Sequence, residues 1–242
     1  MTTLDMITSL MTPLEVTALG IFLACWLGFG PVMRLRPHSG GEINANMAHI
    51  RAAWMRNMSH RENRFIDSQL MGHVINSASF FASSNLILIA AMTGALVGGQ
   101  RTWSTLHALP GIERTAPLLL QIKLALIVLT LARSLLDFIW SIRQMNYCLA
   151  AIGAAPMISA PDMAKAYGEA TASILNPALS TFSSGVRGYY FALGAAGWLF
   201  GPLSLIAVTL GAVALLAWRQ LNSRSSRGVR RVRDILASIG ED

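Results

Sequence analysis

The chain has 242 residues, 53% of them hydrophobic and 13% charged, with a mean hydropathy of +0.49 and a formal net charge of +7. Average soluble domains carry about 25% charged residues, so this composition excludes an ordinary water-soluble globule. The charge comes from 17 Arg and 2 Lys, most of them beside apolar blocks; clusters of that kind attract anionic lipid at about 1 kcal/mol per residue, which makes membrane headgroups the expected partner and leaves no role for nucleic acid.

Four apolar blocks run over 14–33, 66–98, 117–142 and 189–218. Each satisfies the roughly 20-residue length set by a hydrocarbon core about 30 Å thick. A backbone in lipid must satisfy its own hydrogen bonds, and the alternating segments of a β-barrel are missing from the sequence, so the blocks read as helices. The expected fold is an all-α integral membrane protein, a single domain over 1–242, with about four transmembrane helices in a bundle and an amphipathic interfacial helix between the first two.

The first block has no Lys or Arg before it and is followed by Arg34 and Arg36 without a small-residue cleavage site, which reads as a retained anchor. Beyond it, Ile43, Met47, Ile50, Trp54 and Met58 recur at helical steps, with Asn44, His49, Arg56 and His60 on the other faces. This predicts a helix lying among headgroups with Trp54 as its anchor, although a soluble cap on the bundle needs the same periodicity. The loop holds six arginines in all: Arg34, Arg36, Arg51, Arg56, Arg61 and Arg64.

In the second block Gln69, His73, Asn76, Ser77, Ser83 and Ser84 share one helical face with Phe80. They either line a polar pathway or hydrogen-bond across a helix interface, at about 0.6 kcal/mol each. The third block keeps helical character to about residue 155, and Lys123, Thr130, Arg133, Asp137, Trp140, Gln144 and Tyr147 share a face. Arg133 and Asp137, four apart, can pair. A span of about 20 residues from Pro117 ends near Asp137, placing that pair at one interface and letting Lys123 snorkel to the other. His73, Asn76, Lys123, Arg133 and Asp137 are therefore the candidate intramembrane polar site, with a structural ion-pair network as the other reading.

From Gly153 to Ser184, Pro156, Pro161 and Pro177 surround a weakly amphipathic run over 162–175, which reads as a loop with one short surface helix. The tail, 219–242, carries Arg219, Arg224, Arg227, Arg230, Arg231 and Arg233. Small residues at Gly20, Ala24 and Gly28, at Gly94 and Gly98, and at Gly197 and Gly201 are spaced for close helix approach, within the chain or between chains.

Four crossings would place eight basic residues on the side of the tail and nine on the side of the first loop. The first helix usually dominates, which favours the first loop in the cytoplasm. One crossing more or fewer would put both arginine clusters there, and the fourth block, broken at Gly201-Pro202, is the place to look for it. In a bacterial cell the membrane would be the inner one.

Neither Cys25 nor Cys148 has a partner spacing, the histidines His38, His49, His60 and His107 lack metal spacing, and a membrane haem would need more than His73. No nucleotide, hydrolase, metal or cofactor motif is present in the sequence, so no catalytic residue and no cofactor is expected and the reading leans away from an enzyme.

Three strings go beyond what hydrophobicity demands: Arg61-Glu62-Asn63-Arg64 with Asp67-Ser68-Gln69, Trp140 to Tyr147, and Gly185 to Ala192 continuing through Trp198 to Pro202. With them the chain resembles the domain of unknown function 599 family of bacterial and plant membrane proteins, over most of residues 40–205. The resemblance implies a four-helix membrane fold and supplies no activity. That family has an Asn shortly before its Gly-x-Arg, where Ser183 and Ser184 stand here. On the four-crossing reading Arg61, Arg64, Asp67, Arg143, Asn146, Tyr147, Arg187 and Tyr189 all lie at one membrane face, as a headgroup or anion cluster or as a girdle tying loops to the bundle. The expected function is a non-enzymatic membrane subunit, accessory to other membrane proteins or self-associating; the alternative is a small-solute or ion transporter using the stripes of spans two and three.

Overall fold

A computed structural model describes residues 11–35, 43–157 and 160–239. Arg36 and His38 lie outside the described residues. The described elements are α1 (Pro13–Leu35), α2 (Ile43–Ser59), α3 (Phe65–Val97), α4 (Gly99–Ala108), α5 (Pro117–Ala154), α6 (Pro161–Gly197), a 3-10 turn (Trp198–Phe200), α7 (Pro202–Leu221) and α8 (Arg224–Ile239). Among the described residues there are no strands. Four stretches are long and apolar enough to cross a membrane: Pro13–Met33, Phe65–Val97, Pro117–Ala154 and Pro202–Ile239, the last comprising α7 and α8.

Two features differ from the sequence reading. The segment taken as a loop with a short helix is the first half of α6, a continuous helix of 37 residues. Pro161 occupies its first position, where a missing N–H costs nothing, and Pro177 is carried inside it. Its buried side is small: Ala164, Gly168, Ala172 and Ala178 in its first half, Gly188, Ala192 and Ala195 in its second. A Cβ on Gly168 would lie 2.6 Å from Arg56 Cα, so α6 and α2 meet there backbone to backbone. Small residues score weakly on hydropathy, which is why packing at this seam was not visible as an apolar stripe. The fourth apolar block is likewise not one helix, because the chain turns at Gly201, whose φ of +110 suits glycine, before α7 begins.

Of the small-residue faces singled out earlier, the one at Gly197 meets α7, where an added Cβ would lie 3.2 Å from Val208 Cγ2. Added Cβ atoms on Gly20, Gly28 and Gly94 would meet nothing within 4 Å, whereas those on Gly168 and Gly188 would clash with neighbouring helices.

Contacts divide the chain into two compact units, each assembled from three stretches. The first comprises residues 1–36, 83–135 and 185–216. Its core is Phe22, Phe29, Leu120, Leu124, Ile127, Phe191, Trp198 and Leu205. The second comprises residues 37–82, 136–184 and 217–242. Its core is rich in methionine, with Met55, Met58, Met71 and Met145 fully buried beside Cys148, Ile152 and Leu175, and in it α2 packs against α8.

Candidate functional site

In the first unit the site is built around Lys123, in the second turn of α5. The sequence reading has this side chain snorkelling toward water; instead it is 1% exposed and turned inward. Its Nζ donates to Glu113 Oε2 at 2.7 Å and lies 3.7 Å from Glu15 Oε1. Glu15 is fixed by a capping box at the start of α1, where its backbone N–H donates to Thr12 Oγ1 at 3.2 Å and its Oε2 accepts from the Thr12 backbone N–H at 3.0 Å. Glu113 is held through its own N–H, which donates to Leu199 O at 2.9 Å. The Trp198 ring is fully buried with its centroid 5.7 Å from Nζ, within cation–π range. One ammonium thus faces two carboxylates, leaving a formal negative charge for a proton or a small cation to offset.

In the second unit the site is Asp67, in the first turn of α3 and fully buried. Its Oδ1 accepts from Arg61 Nη1 at 2.5 Å and from Trp54 Nε1 at 2.7 Å. The Trp54 indole N–H, expected among headgroups, therefore ties α2 to α3. Arg64 donates to the carbonyls of Ala155 and, at 2.9 Å, Pro156, placing a cation on the unpaired carbonyls at the end of α5. Ser59 Oγ donates to Ala164 O at 2.8 Å and Tyr167 Oη to Ala151 O at 2.7 Å, so α2, α3, α5 and α6 are stitched at several points.

The other candidates are distributed differently. Arg143 and Tyr147 form an exposed pair along α5, Nε to Oη at 2.6 Å, and Asn146 beside them is exposed. Arg187 and Tyr189 belong to the first unit, where both are half-buried and have partners. Of the eight residues, Arg61 pairs with Asp67 and Arg143 with Tyr147 within the second unit. His73 and Asn76 are exposed, with Gln69 and Ser77. Arg133 is exposed and Asp137 half-buried, each with partners. Ser183, in the place of the family's Asn, donates to Leu179 O at 2.9 Å and lies 3.5 Å from Asn44 Oδ1.

Sequence reasoning missed Glu15, Glu113 and Trp198 as partners of Lys123. Thr12-x-x-Glu15 before an apolar run was a readable capping signal, but nothing local links it to Lys123. It also missed Arg51 on α2, which is 9% exposed, has an unpartnered Nε, and has no hydrogen bond or ion pair among the described residues. Burial pulls its guanidinium down to about 10. Among the described residues no group of His, Cys, Asp and Glu is arranged to hold a metal ion.

Four stretches long and apolar enough to cross a bilayer define a multi-pass α-helical membrane protein. The chain belongs to the family described as Protein of unknown function, DUF599, whose model matches residues 17–225. No curated protein and no solved structure matches it.

Proposed function

We propose that the protein is a non-enzymatic multi-pass membrane subunit that acts by associating with a second copy of itself. The observation carrying this is the outer face of α3 in the second unit. Phe65, Ile66, Leu70 and Phe80 are exposed there, Phe80 at 68%, interleaved with exposed Gln69, His73, Asn76 and Ser77. Water disfavours the first set and lipid the second, whereas a protein surface suits both. The Gln and Asn amides each donate and accept, so the face is self-complementary across a two-fold axis, as a closed dimer requires. Native mass spectrometry in mild detergent should find dimers, weakened by Asn76→Ala and Phe80→Ala without loss of fold, since both side chains are exposed. A monodisperse wild-type monomer overturns the proposal.

The packing of α2 on α8 favours an orientation. Two helices in contact belong to one side of the membrane, so an even number of crossings separates them. With α3, α5 and α7 as crossings, α6 must cross as well, which makes four crossings between them and five in all. Its low hydropathy fits an interior helix whose second half packs Phe191, Ala192 and Ala195 into the core shared with α1 and α5. On this reading the six arginines of the first loop and the six of the tail share the cytoplasmic side, leaving Arg101 and Arg114 opposite. Protease accessibility of the tail in sealed inverted vesicles tests it; a protected tail reverses the assignment.

A second reading, passage of a proton or small cation, is favoured by the buried Lys123, Glu15 and Glu113. Proteoliposome flux lost in Glu113→Gln would support it, and the absence of wild-type flux would remove it.

A further inference from the structure

Helices α2 and α8 together carry seven arginines against one carboxylate, Asp234. That carboxylate is already paired with Arg233 at 2.6 Å. The inner side of α8 is marked by buried Ser226, by Arg230, which donates to Ser226 Oγ at 3.1 Å, and by Arg233, which donates to Asn46 Oδ1 on α2 at 2.5 Å. Val232, Ile235 and Ile239 fall elsewhere on the helix, at steps of three and four, and are exposed, Ile239 at 66%. Exposed Arg224, Arg227 and Arg231 border them. Only Asn222 and Ser223 separate α8 from α7, so α8 begins at the bilayer surface where α7 ends. On α2 the Nε of the buried Arg51 has no hydrogen-bond partner among the described residues.

We propose that α8 lies in the headgroup layer of a leaflet containing anionic phospholipid, with Val232, Ile235 and Ile239 at the acyl boundary and Arg224, Arg227 and Arg231 on lipid phosphates. Water leaves the apolar arc uncovered, and a neutral surface leaves the arginines without counter-charge. An anionic leaflet answers both, and guanidinium groups are suited to bidentate phosphate contact. Because Arg233 and Asn46 join α8 to α2, the charge of the leaflet also bears on how firmly α2 is held. The proposal rests on α7 crossing the bilayer and not on dimer formation.

The test is hydrogen exchange of the backbone amides of residues 224–239 in the full chain, one copy per nanodisc, in phosphatidylcholine alone or with added phosphatidylglycerol. Exchange should slow by about 100-fold in the anionic disc, about fivefold for each of the three exposed arginines. The triple variant Arg224→Gln, Arg227→Gln, Arg231→Gln should lose that slowing, and the corresponding Lys triple should keep it. Equal exchange in the two discs, slowing that survives the Gln triple, or loss in the Lys triple equal to that in the Gln triple overturns the proposal. Slowing seen only when two copies share a disc also overturns it, by assigning the face to protein contact. Because the main comparison uses single copies, failure of the dimer leaves its outcome unaffected.

Discussion

Lys123 and Asp67 are both sealed from solvent, one in each unit, and their surroundings differ in kind. Lys123 takes its partners from two other elements, Glu15 on α1 and Glu113 in the segment before α5, and rests over Trp198 from a third. Asp67 takes both of its partners, Arg61 and Trp54, from the 13 residues that precede it. The cores follow the same division. Leu, Phe and Trp fill the first with shapes that fit one arrangement, whereas the methionines of the second are flexible and polarizable and tolerate small shifts. A long-range charge cluster in a stiff core makes distant parts of the chain depend on one another, while a local one in an adaptable core confines the damage of a lesion.

Substitutions can break that contrast. Lys123→Met leaves the buried Glu15 carboxylate without its counter-charge and should cost about 3–5 kcal/mol, read as a fall in unfolding temperature in detergent. Adding Glu15→Gln should recover part of it, and a loss below about 1 kcal/mol for the single variant would show that water reaches the cluster. Asp67→Ala should cost less, about 1.5–3 kcal/mol, because Arg61 is 43% exposed and its freed guanidinium rehydrates. Asp67→Asn, which retains an acceptor for the Trp54 indole, should fall between the wild type and Asp67→Ala.

Arg51→Met should have the smallest effect and the opposite sign, leaving stability unchanged or raising it by about 1 kcal/mol, since a buried guanidinium without a partner among the described residues is replaced by an apolar chain of similar length. Its pH behaviour is distinctive. Burial holds the folded-state value down at about 10, so between that pH and the ordinary arginine value the unfolded chain binds more protons and stability rises with pH. Below about pH 10 the penalty is fully present and constant. The difference between wild type and variant should therefore be flat from about pH 6 to pH 9 in denaturant titrations.

How much of this was legible in the sequence depends on the range of the interaction. The three long apolar helices α1, α3 and α5 and the periodic helix α2 were readable because each is specified by its own residues, and the end of α5 at Ala154 lies beside the expected 155. Helix α6 was not, because its packing is carried by Gly and Ala and its prolines resemble loop signals. Arg61, Arg64 and Asp67 were readable as an unusual polar string, but their geometry was not. The Lys123 cluster was illegible apart from one of its members, since no local pattern says that a capping glutamate will meet a lysine on another helix. The direction of the α3 stripe was also beyond the sequence: periodicity gathers Gln69, His73 and Asn76 on one face without saying whether that face is covered.

The separation of Glu15 from Lys123 has a consequence for biogenesis. The ribosome delivers Glu15 near the start of the chain and Lys123 only later, on the order of ten seconds at ~5–20 residues per second. In that interval the Glu15 carboxylate, at the leading turn of α1, has no Lys123 to face. Trp198, which floors the cluster, emerges later still. The contact between Glu15 and Lys123, and with it this tie between α1 and α5, therefore closes only after residue 123 has been made.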